Sequence, residues 1–233
     1  MYEYKGRVRY SECDRHGKLS IAGVINYLQD VAILHSEDKM VGVDYLADED
    51  MGWVVTNYTM NIRRFPKLGE KITIRTYPHS MRACVALRSF EMLDERGERF
   101  AEAISTWALM NIKEFRPVKI SEEIIAAYQP MICPDFSPEP VKARPEGEEE
   151  RVGHFTVSEA EIDTNGHMNN GAYARIAEKY LPDGFEFTSC TYVYKKMLFL
   201  DEKAEVFMSG TDDGSTQIIF RKDGELSFLA QFK

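Results

Sequence analysis

The chain has 233 residues, of which 44% are hydrophobic and 29% are charged. This length corresponds to roughly one large domain or two small ones, and the composition is that of a globular chain rather than a disordered one. No window approaches the roughly 18 apolar residues of a membrane span. The net charge of −9 argues against a nucleic-acid binder, which would carry a basic excess.

The cysteines and the N-terminal segment indicate the compartment and argue against a bound metal. Cys13, Cys84, Cys133 and Cys190 form no Cys-x-x-Cys pair and match no zinc module. Residues 1–7 carry charges where a signal peptide has its apolar stretch. The sequence has no glycine-rich phosphate loop. We therefore expect a cytoplasmic protein with reduced thiols, no metal, no cofactor, and no membrane or nucleic-acid partner.

The first half of the chain predicts one helix followed by strands. Ser20 is a typical N-cap, and apolar residues then recur at helical spacing: Ile21, Val24, Ile25, Leu28, Val31 and Ala32. After Gly52 come four runs rich in β-branched and aromatic residues, at 53–56, 71–77, 84–87 and 103–107, with glycine turns at 68–69 and 95–97. This order predicts a sheet wrapped on a single central helix.

Residues 121–150 interrupt that pattern. Five of the nine prolines fall within this segment. Ser121 is expected to cap a short helix that runs to Tyr128, and the prolines after it favour an extended connection along the surface. We therefore predict an N-terminal half at 1–120, a linker at 121–150 and a C-terminal half at 151–233.

The second half repeats the order of the first in shorter form. Asn169 or Asn170 is expected to cap a helix with an apolar stripe that ends at Pro182-Asp183-Gly184; the stripe comprises Tyr173, Ile176, Ala177 and Tyr180. Strands are predicted at 191–194, 204–207 and 217–220. Asp223-Gly224 is a signal for a two-residue hairpin turn.

Two offsets relate the halves. Asp14-x-x-Gly17 matches Asp163-x-x-Gly166 at an offset of 149 residues, and segment 62–71 resembles segment 194–203 at an offset of 132. The difference between the offsets corresponds to a deletion of 17 residues after the second helix. The shared order of loop, helix, basic pair and turn indicates an internal duplication.

The densest polar cluster of the chain directly precedes the second helix and reads Asp163-Thr164-Asn165-Gly166-His167-Met168-Asn169-Asn170. Alternating residues of an extended loop point the same way, so Asp163, Asn165 and His167 are expected to share one volume beside the helix N-terminus. A carboxylate, an amide, an imidazole and the backbone N–H groups of a helix start are what hydrolysis of a carbonyl substrate requires. The alternative is a plain turn followed by a cap.

The duplicated loop favours the functional interpretation. At the equivalent positions of the first half, His16 stands in place of Asn165 and Lys18 in place of His167. A loop needed only for folding should keep the same polar set in both copies. We therefore predict that the second copy carries the chemistry and that the first keeps only the turn.

Taken together, these segments resemble the acyl-acyl-carrier-protein (acyl-ACP) thioesterases of bacteria and plant plastids. The similarity lies in Asp163-x-Asn165-x-His167-x-Asn169-Asn170 and in residues 53–56 and 64–74, and it covers nearly the whole chain in the same order. The resemblance implies an α+β fold of two tandem hotdog domains, each a central helix wrapped by an antiparallel β-sheet. It also implies hydrolysis of fatty acyl-ACP to free fatty acid and carrier protein, a step of fatty acid biosynthesis.

By the same resemblance, Asp163, Asn165 and His167 form the catalytic set. Asp163 would activate water as a general base or attack the thioester directly, with Asn165 and His167 positioning the reactants; His167 is the alternative base. Many members of the family carry an acidic residue after the basic pair of the following strand, where this chain has Met197. Glu178 on the second helix is a candidate substitute for that acid.

The resemblance also implies binding residues for the acyl group and the carrier protein. Trp53 is expected to line an acyl tunnel in the first half, and Asn169 and Asn170 to contact substrate. Acyl carrier protein is acidic and its phosphopantetheine arm bears a phosphate, so a net-acidic enzyme must meet it with local positive charge. The principal candidates are Arg63, Arg64, Lys195 and Lys196, with Lys67, Arg82 and Arg88 as further basic residues.

Two other functions fit the same sequence features. One is a thioesterase that acts on acyl-CoA, and the other is a non-catalytic acyl-binding hotdog protein, which Met197 favours and the intact Asp163, Asn165 and His167 set disfavours. A hotdog hydratase fits less well, because its loop has His five residues after Asp instead of four. Two hotdogs in one chain already form a pseudo-dimer, so both a monomer and a homodimer are expected assemblies.

Overall fold

The computed structural model describes residues 1–132 and 139–233; the expected thiol of Cys133 and part of the expected linker lie outside them. The first half contains β1 (Tyr2–Arg7), α1 (Ile21–Asp38), α2 (Val43–Asp48), β2 (Met51–Ile62), β3 (Lys71–Arg82), β4 (Val85–Asp94), β5 (Arg99–Asn111), β6 (Arg116–Pro117) and α3 (Glu122–Tyr128). The second half contains β7 (Glu150–Thr156), α4 (Asn170–Glu178), β8 (Ser189–Tyr194), β9 (Lys203–Gly210), β10 (Thr216–Lys222) and β11 (Glu225–Phe232).

The described strands form one continuous antiparallel sheet. Its order is β1-β3-β4-β5-β2-β8-β11-β10-β9-β7, with β6 added beside β5. Strands β2 and β8 join the halves, and their register runs from Asn57 opposite Val193 to Asn61 opposite Ser189. The two halves therefore meet edge to edge at the centre of a single sheet.

Helix α1 forms the centre of the first half, as predicted. Ser20 caps it by accepting a hydrogen bond from the backbone N–H of Gly23 at 3.1 Å. All members of the predicted apolar stripe are buried, each at most 4% exposed. Because that stripe spans about one side of the helix, α1 packs against the sheet along its length.

Helix α4 is the shorter counterpart in the second half. Asn169 caps it, as one of the two expected residues. The helix ends at Glu178, before the Pro182 stop that the sequence predicts. Tyr173, Ile176 and Ala177 of its stripe are buried.

The strands are longer than the β-rich runs of the sequence, but the turns between them are as predicted. Gly69 and Gly97 take positive φ angles of 81° and 80°, a conformation that glycine adopts without steric penalty. Asp223 and Gly224 both have positive φ and connect Lys222 directly to Glu225 in the β10–β11 pair. This is the two-residue hairpin geometry that Asp-Gly favours.

Backbone hydrogen bonds repeat between the halves at both sequence offsets. The N–H of Leu19 donates to the carbonyl of Pro66 at 2.8 Å, and the N–H of Met168 donates to that of Leu198 at 2.8 Å. A single 3-10 turn precedes each helix-entry loop, at Tyr10–Glu12 and at Glu159–Glu161. The structure thus bears out the internal duplication.

The segment 121–150 begins as part of the first half's core. Ser121 caps α3, as expected, and Ile124 and Tyr128 of that helix are buried. Further on, the backbone of Val141 exchanges hydrogen bonds with the side chains of Asn57 and Thr59 on β2. The described part of the connection therefore lies against the sheet, while the exact domain boundaries stay a prediction.

Within the described residues, none of the helices has both the length and the apolar character needed to cross a membrane.

Candidate active site

The loop that enters α4 is a closed turn. The N–H of Asp163 donates to the carbonyl of His167 at 3.0 Å, and the N–H of Gly166 donates back to the carbonyl of Asp163 at 3.0 Å. Gly166 has a φ of 76°, which the reversal requires and which glycine tolerates. The expectation of an extended loop with alternating side chains was wrong, because the chain reverses direction between Asp163 and His167.

Because the chain reverses direction, the side chains of Asp163 and His167 still lie close together. The Nδ1 atom of His167 lies 3.8 Å from Oδ2 of Asp163, and their side chains are 21% and 12% exposed. That distance is too long for a hydrogen bond but lies within the range of an ion pair. Oδ1 of Asp163 accepts the backbone N–H of Asn165 at 2.8 Å, which fixes the carboxylate.

The tautomer of His167 follows from its backbone contact. Nδ1 lies 3.2 Å from the carbonyl oxygen of Met168, and a carbonyl oxygen can only accept a hydrogen bond. Nδ1 therefore carries the hydrogen in the neutral ring, which leaves the lone pair on Nε2. Asn165 stands at the exposed tip of the turn, apart from this pair.

The start of α4 offers fewer free donors than the sequence suggests. The N–H of Gly171 donates to Oδ1 of its cap Asn169 at 2.8 Å. The next two N–H groups, of Ala172 and Tyr173, donate to the carbonyl of Asn169 at 2.9 and 3.3 Å. These three N–H groups are therefore occupied, whereas the N–H of Asn170, the first residue of α4, has no acceptor among the described residues. The expectation that backbone N–H groups at this helix start stabilise an oxyanion stays a prediction.

Asn170 connects the site to the first half of the molecule. Its Nδ2 donates to Oε1 of Gln29 on α1 at 2.9 Å, and its carbonyl accepts the hydroxyl of Tyr194 at 3.1 Å. A Cβ atom on Gly171 would lie 2.5 Å from Oδ1 of Asn26, so the two helices are in close contact here. Gln29 was not predicted as a site residue, because it lies 141 residues from Asn170 and belongs to no motif.

No group of three or more His, Cys, Asp or Glu side chains suited to a metal ion occurs within residues 1–132 and 139–233.

Comparison with known proteins assigns the family. Residues 1–128 match the family model of the acyl-ACP thioesterase N-terminal domain, which is more than half of the chain. The chain belongs to the acyl-ACP thioesterase family. The palmitoyl-acyl carrier protein thioesterase of Gossypium hirsutum is 23% identical over 229 residues, which cover 91% of this chain and 55% of that protein. This chain thus spans about half the length of that plant relative.

Solved structures of similar fold cover almost the whole chain. An acyl-ACP thioesterase from Bacteroides thetaiotaomicron superposes with a TM-score of 0.87 at 20% identity, over 99% of this chain and 96% of that one. The 12:0-ACP thioesterase from Umbellularia californica gives a TM-score of 0.82 at 19% identity, over 100% and 96% of the two chains. The predicted α+β fold of tandem hotdogs is confirmed.

Many acyl-ACP thioesterases carry an acidic residue where this chain has Met197, and Glu178 was the expected substitute for it. Met197 is half-buried and directly precedes Leu198, whose carbonyl pairs with Met168 of the loop. Glu178 stands at the far end of α4. The surrounding protein and the carboxylate of Asp14 raise the pKa of Glu178. As a substitute for the acid that is missing at Met197, Glu178 was wrongly placed, because it lies at the opposite end of α4 from the Asp163 loop.

The expected basic residues divide between two ends of the molecule. Arg63 and Arg64 follow β2, whereas Lys195 and Lys196 follow β8. From the register of this antiparallel pair, Arg63 and Lys195 lie roughly 25 Å apart along the strands. The lysine pair is at the end of the Asp163 loop, and the arginine pair is at the end of the Asp14 loop.

Ion pairs occupy one member of each basic pair. Arg64 is bonded to Glu70 at 2.8 Å and to Asp94 at 3.0 Å, and Lys196 is bonded to Glu225. Arg63 and Lys195 are exposed, and neither forms an ion pair with another residue that the structure describes.

Arg88 was wrongly counted among the docking candidates. It is 6% exposed, hydrogen-bonds His35 and Thr76 at 3.1 and 3.2 Å, and lies over the ring of Tyr128. Burial lowers the pKa of its guanidinium to about 10. Arg88 therefore ties α1, β3 and α3 together inside the first half.

Trp53 lies at the start of β2, opposite Leu109 of β5. It is half-buried and packs against the main hydrophobic core. A β-bulge between Val55 and Asn57 follows it, and such bulges re-aim neighbouring side chains.

Proposed function

We propose that this protein hydrolyses fatty acyl-ACP to free fatty acid and acyl carrier protein. The family membership supports the substrate class. The observation that carries the reaction type is the closed turn that sets Nδ1 of His167 3.8 Å from Oδ2 of Asp163. The turn thereby holds a base and a carboxylate together in the second hotdog. Gln29 of the first hotdog contacts Asn170 directly after this turn.

The proton transfer in this proposal uses the free face of His167. Nε2 takes a proton from a water molecule as that water attacks the thioester carbonyl, and the Asp163 carboxylate stabilises the imidazolium. The tetrahedral intermediate then collapses, the C–S bond breaks, and the pantetheine thiolate leaves with the proton from His167. Asn165, at the tip of the turn, is placed to contact the incoming substrate.

Direct attack by Asp163 is the alternative step, and isotope labelling detects it when water opens the resulting anhydride at the aspartyl carbonyl. A single turnover in ¹⁸O-water would place the label in the Asp163 side chain if a mixed anhydride forms and water attacks its aspartyl carbonyl. The fixed Oδ1 contact with Asn165 favours water attack, so we expect label in the fatty acid alone. Mass spectrometry of the peptide that contains Asp163 measures the difference.

In this proposal the acyl group and the carrier protein bind at the end of the sheet that carries the Asp163 loop. Trp53 lines the path of the acyl chain in this proposal, and Asn169 shapes the helix start. Lys195 and Lys196 lie at the end of the Asp163 loop, which supports them as the cations that meet the acidic carrier protein. Arg63 and Arg64 lie at the opposite end of the strands, roughly 25 Å from Lys195, and stay a second, weaker prediction for the docking surface.

Thiol release from matched substrates tests the function. We expect faster release of free thiol from acyl-ACP than from acyl-CoA with the same acyl chain. Equal rates would favour the acyl-CoA alternative, and binding without turnover would favour the non-catalytic one. The cytoplasmic location stays a prediction. One sheet already joins two hotdogs, which supports a monomer, and light scattering separates that state from a homodimer.

A further inference from the structure

Hydrolysis of a thioester requires hydrogen-bond donors for the oxygen that becomes negatively charged. At the start of α4, the N–H groups of Gly171, Ala172 and Tyr173 already donate to Asn169. The N–H of Asn170, at the first position of α4, has no acceptor among the described residues, and side-chain amides near the turn are a second source of neutral donors. Asn165, at the exposed tip, and Gln29 are two such amides.

Gln29 is held so that its donor end stays available. Asn170 donates into its Oε1 at 2.9 Å, so the amide is oriented with its NH₂ group away from that contact. No acceptor among the residues that the structure describes bonds this NH₂ group, and Gln29 is only half-buried. The tight packing of α4 on α1 at Gly171 limits any drift of the pair.

The duplication shows what stands at the matching place beside the first loop. At the offset of 149, Gln29 corresponds to Glu178, whose pKa is raised by burial and, to a smaller extent, by the carboxylate of Asp14. By the same symmetry we expect Gln29 beside the Asp163 loop, and its hydrogen bond with Asn170, which follows that loop, agrees with this placement. In this arrangement the neutral amide of Gln29 lies beside the loop that contains His167. The carboxyl group of Glu178 lies beside the loop that has Lys18 at that position.

We propose that Gln29 is a catalytic residue supplied by the first hotdog, whose Nε2 donates a hydrogen bond to the thioester carbonyl oxygen while Asn170 holds its Oε1. This inference rests on the proposed thioesterase function. It makes the reaction depend on both hotdogs, since the base comes from one and the oxyanion donor from the other.

Two substitutions distinguish a hydrogen bond donated by Gln29 to the substrate from a purely structural role of Gln29 as the acceptor for Asn170. Gln29→Glu keeps an oxygen that can accept from Asn170 but has no N–H at neutral pH, and Gln29→Met removes both. We expect each to lower kcat by about 10²–10³-fold, the range for loss of one oxyanion donor, with little change in KM. Glu178→Gln, the matched change beside Asp14, should leave kcat unaltered. Thermal melting of each variant checks the fold.

The remaining outcomes contradict the inference. Full activity in Gln29→Glu with loss in Gln29→Met would show a purely structural role through Asn170. Loss in Gln29→Glu alone would show repulsion by the new charge, and full activity in both would show no role. If wild-type protein hydrolyses no thioester, the proposed function itself fails; an active wild type with an active Gln29→Met overturns only this inference.

A structure with a bound analogue tests the contact without mutation. An acyl-pantetheine in which a CH₂ group replaces the sulfur resists hydrolysis and keeps the carbonyl. We expect Nε2 of Gln29 about 2.9 Å from that carbonyl oxygen, the usual N–H···O distance. A bound analogue whose carbonyl contacts only backbone N–H groups or Asn165 would overturn the assignment.

Discussion

The two helix-entry loops of this protein share a backbone and differ in their side chains. Asp14 and Asp163 each accept the N–H of the residue two positions on at 2.8 Å, and Gly17 and Gly166 both take positive φ. The turn is therefore needed for folding in both halves. What only the second loop has is an imidazole at the closing position, where the first has Lys18. The shared backbone turn explains the Asp-x-x-Gly motif of both loops. The difference in side chains indicates which loop is the candidate for catalysis.

The largest expected effect separates the closing residues of the two loops. His167→Gln should lower kcat for acyl-ACP hydrolysis by about 10²–10⁴-fold, because a positioned base contributes that much. The matched variant Lys18→Gln should keep kcat close to that of the wild type. Steady-state thiol release measures both. An active His167→Gln enzyme would show that His167 is not the base.

A smaller effect is expected from the basic pairs. The double change Lys195→Glu and Lys196→Glu should raise KM for acyl-ACP about tenfold at low salt and less at high salt, because the attraction is screened. KM for acyl-pantetheine, which lacks the carrier protein, should not change. Arg63→Glu serves as the control at the far end of the sheet. An equal rise in that variant would contradict the assignment of the docking surface.

Met197 offers a comparison between this chain and relatives that carry an acid at that place. Met197→Glu should change kcat by less than about threefold or lower it, because the proposed site has its base and oxyanion donor without this residue and the new charge would be half-buried. A gain of about 10²-fold or more would show instead that the missing acid limits this enzyme.

The smallest effect concerns stability at the first loop. The pKa of Glu178 is raised in the folded protein, so its ionisation costs more there than in the unfolded chain. That cost appears as pH rises from the unfolded pKa through the folded one. Glu178→Gln should therefore give a small rise in Tm at pH 7 that disappears near pH 4. An unchanged difference in Tm at both pH values would exclude this electrostatic cause.

Local signals predicted much of the fold. Ser20, Ser121 and Asn169 cap the helices that begin after them, because a side-chain oxygen at that place satisfies an otherwise unpaired N–H. Asp223-Gly224 specified its hairpin for a comparable local reason. The sequence did not show how far strands such as β2 extend, since strand length depends on pairing partners distant in the chain.

The candidate site was less visible for two physical reasons. Alternation suggested that Asp163, Asn165 and His167 point the same way, but Gly166 allows the chain to turn back, so that Asn165 stands apart at the tip. Gln29 contacts the site only because α1 packs on α4, and no local pattern encodes that contact. Arg88 looked like a surface cation on a strand, yet the ring of Tyr128 from a later helix covers it.

The most direct test of the account compares the two equivalent aspartates. Wild-type protein, Asp163→Ala and Asp14→Ala should be assayed side by side for release of free thiol from acyl-ACP, with melting curves to verify folding. We expect Asp163→Ala to lose at least about 10²-fold in kcat and Asp14→Ala to retain the wild-type rate of the chemical step. Equal losses of kcat in both folded variants would contradict the claim that, of the two helix-entry loops, only the second takes part in catalysis.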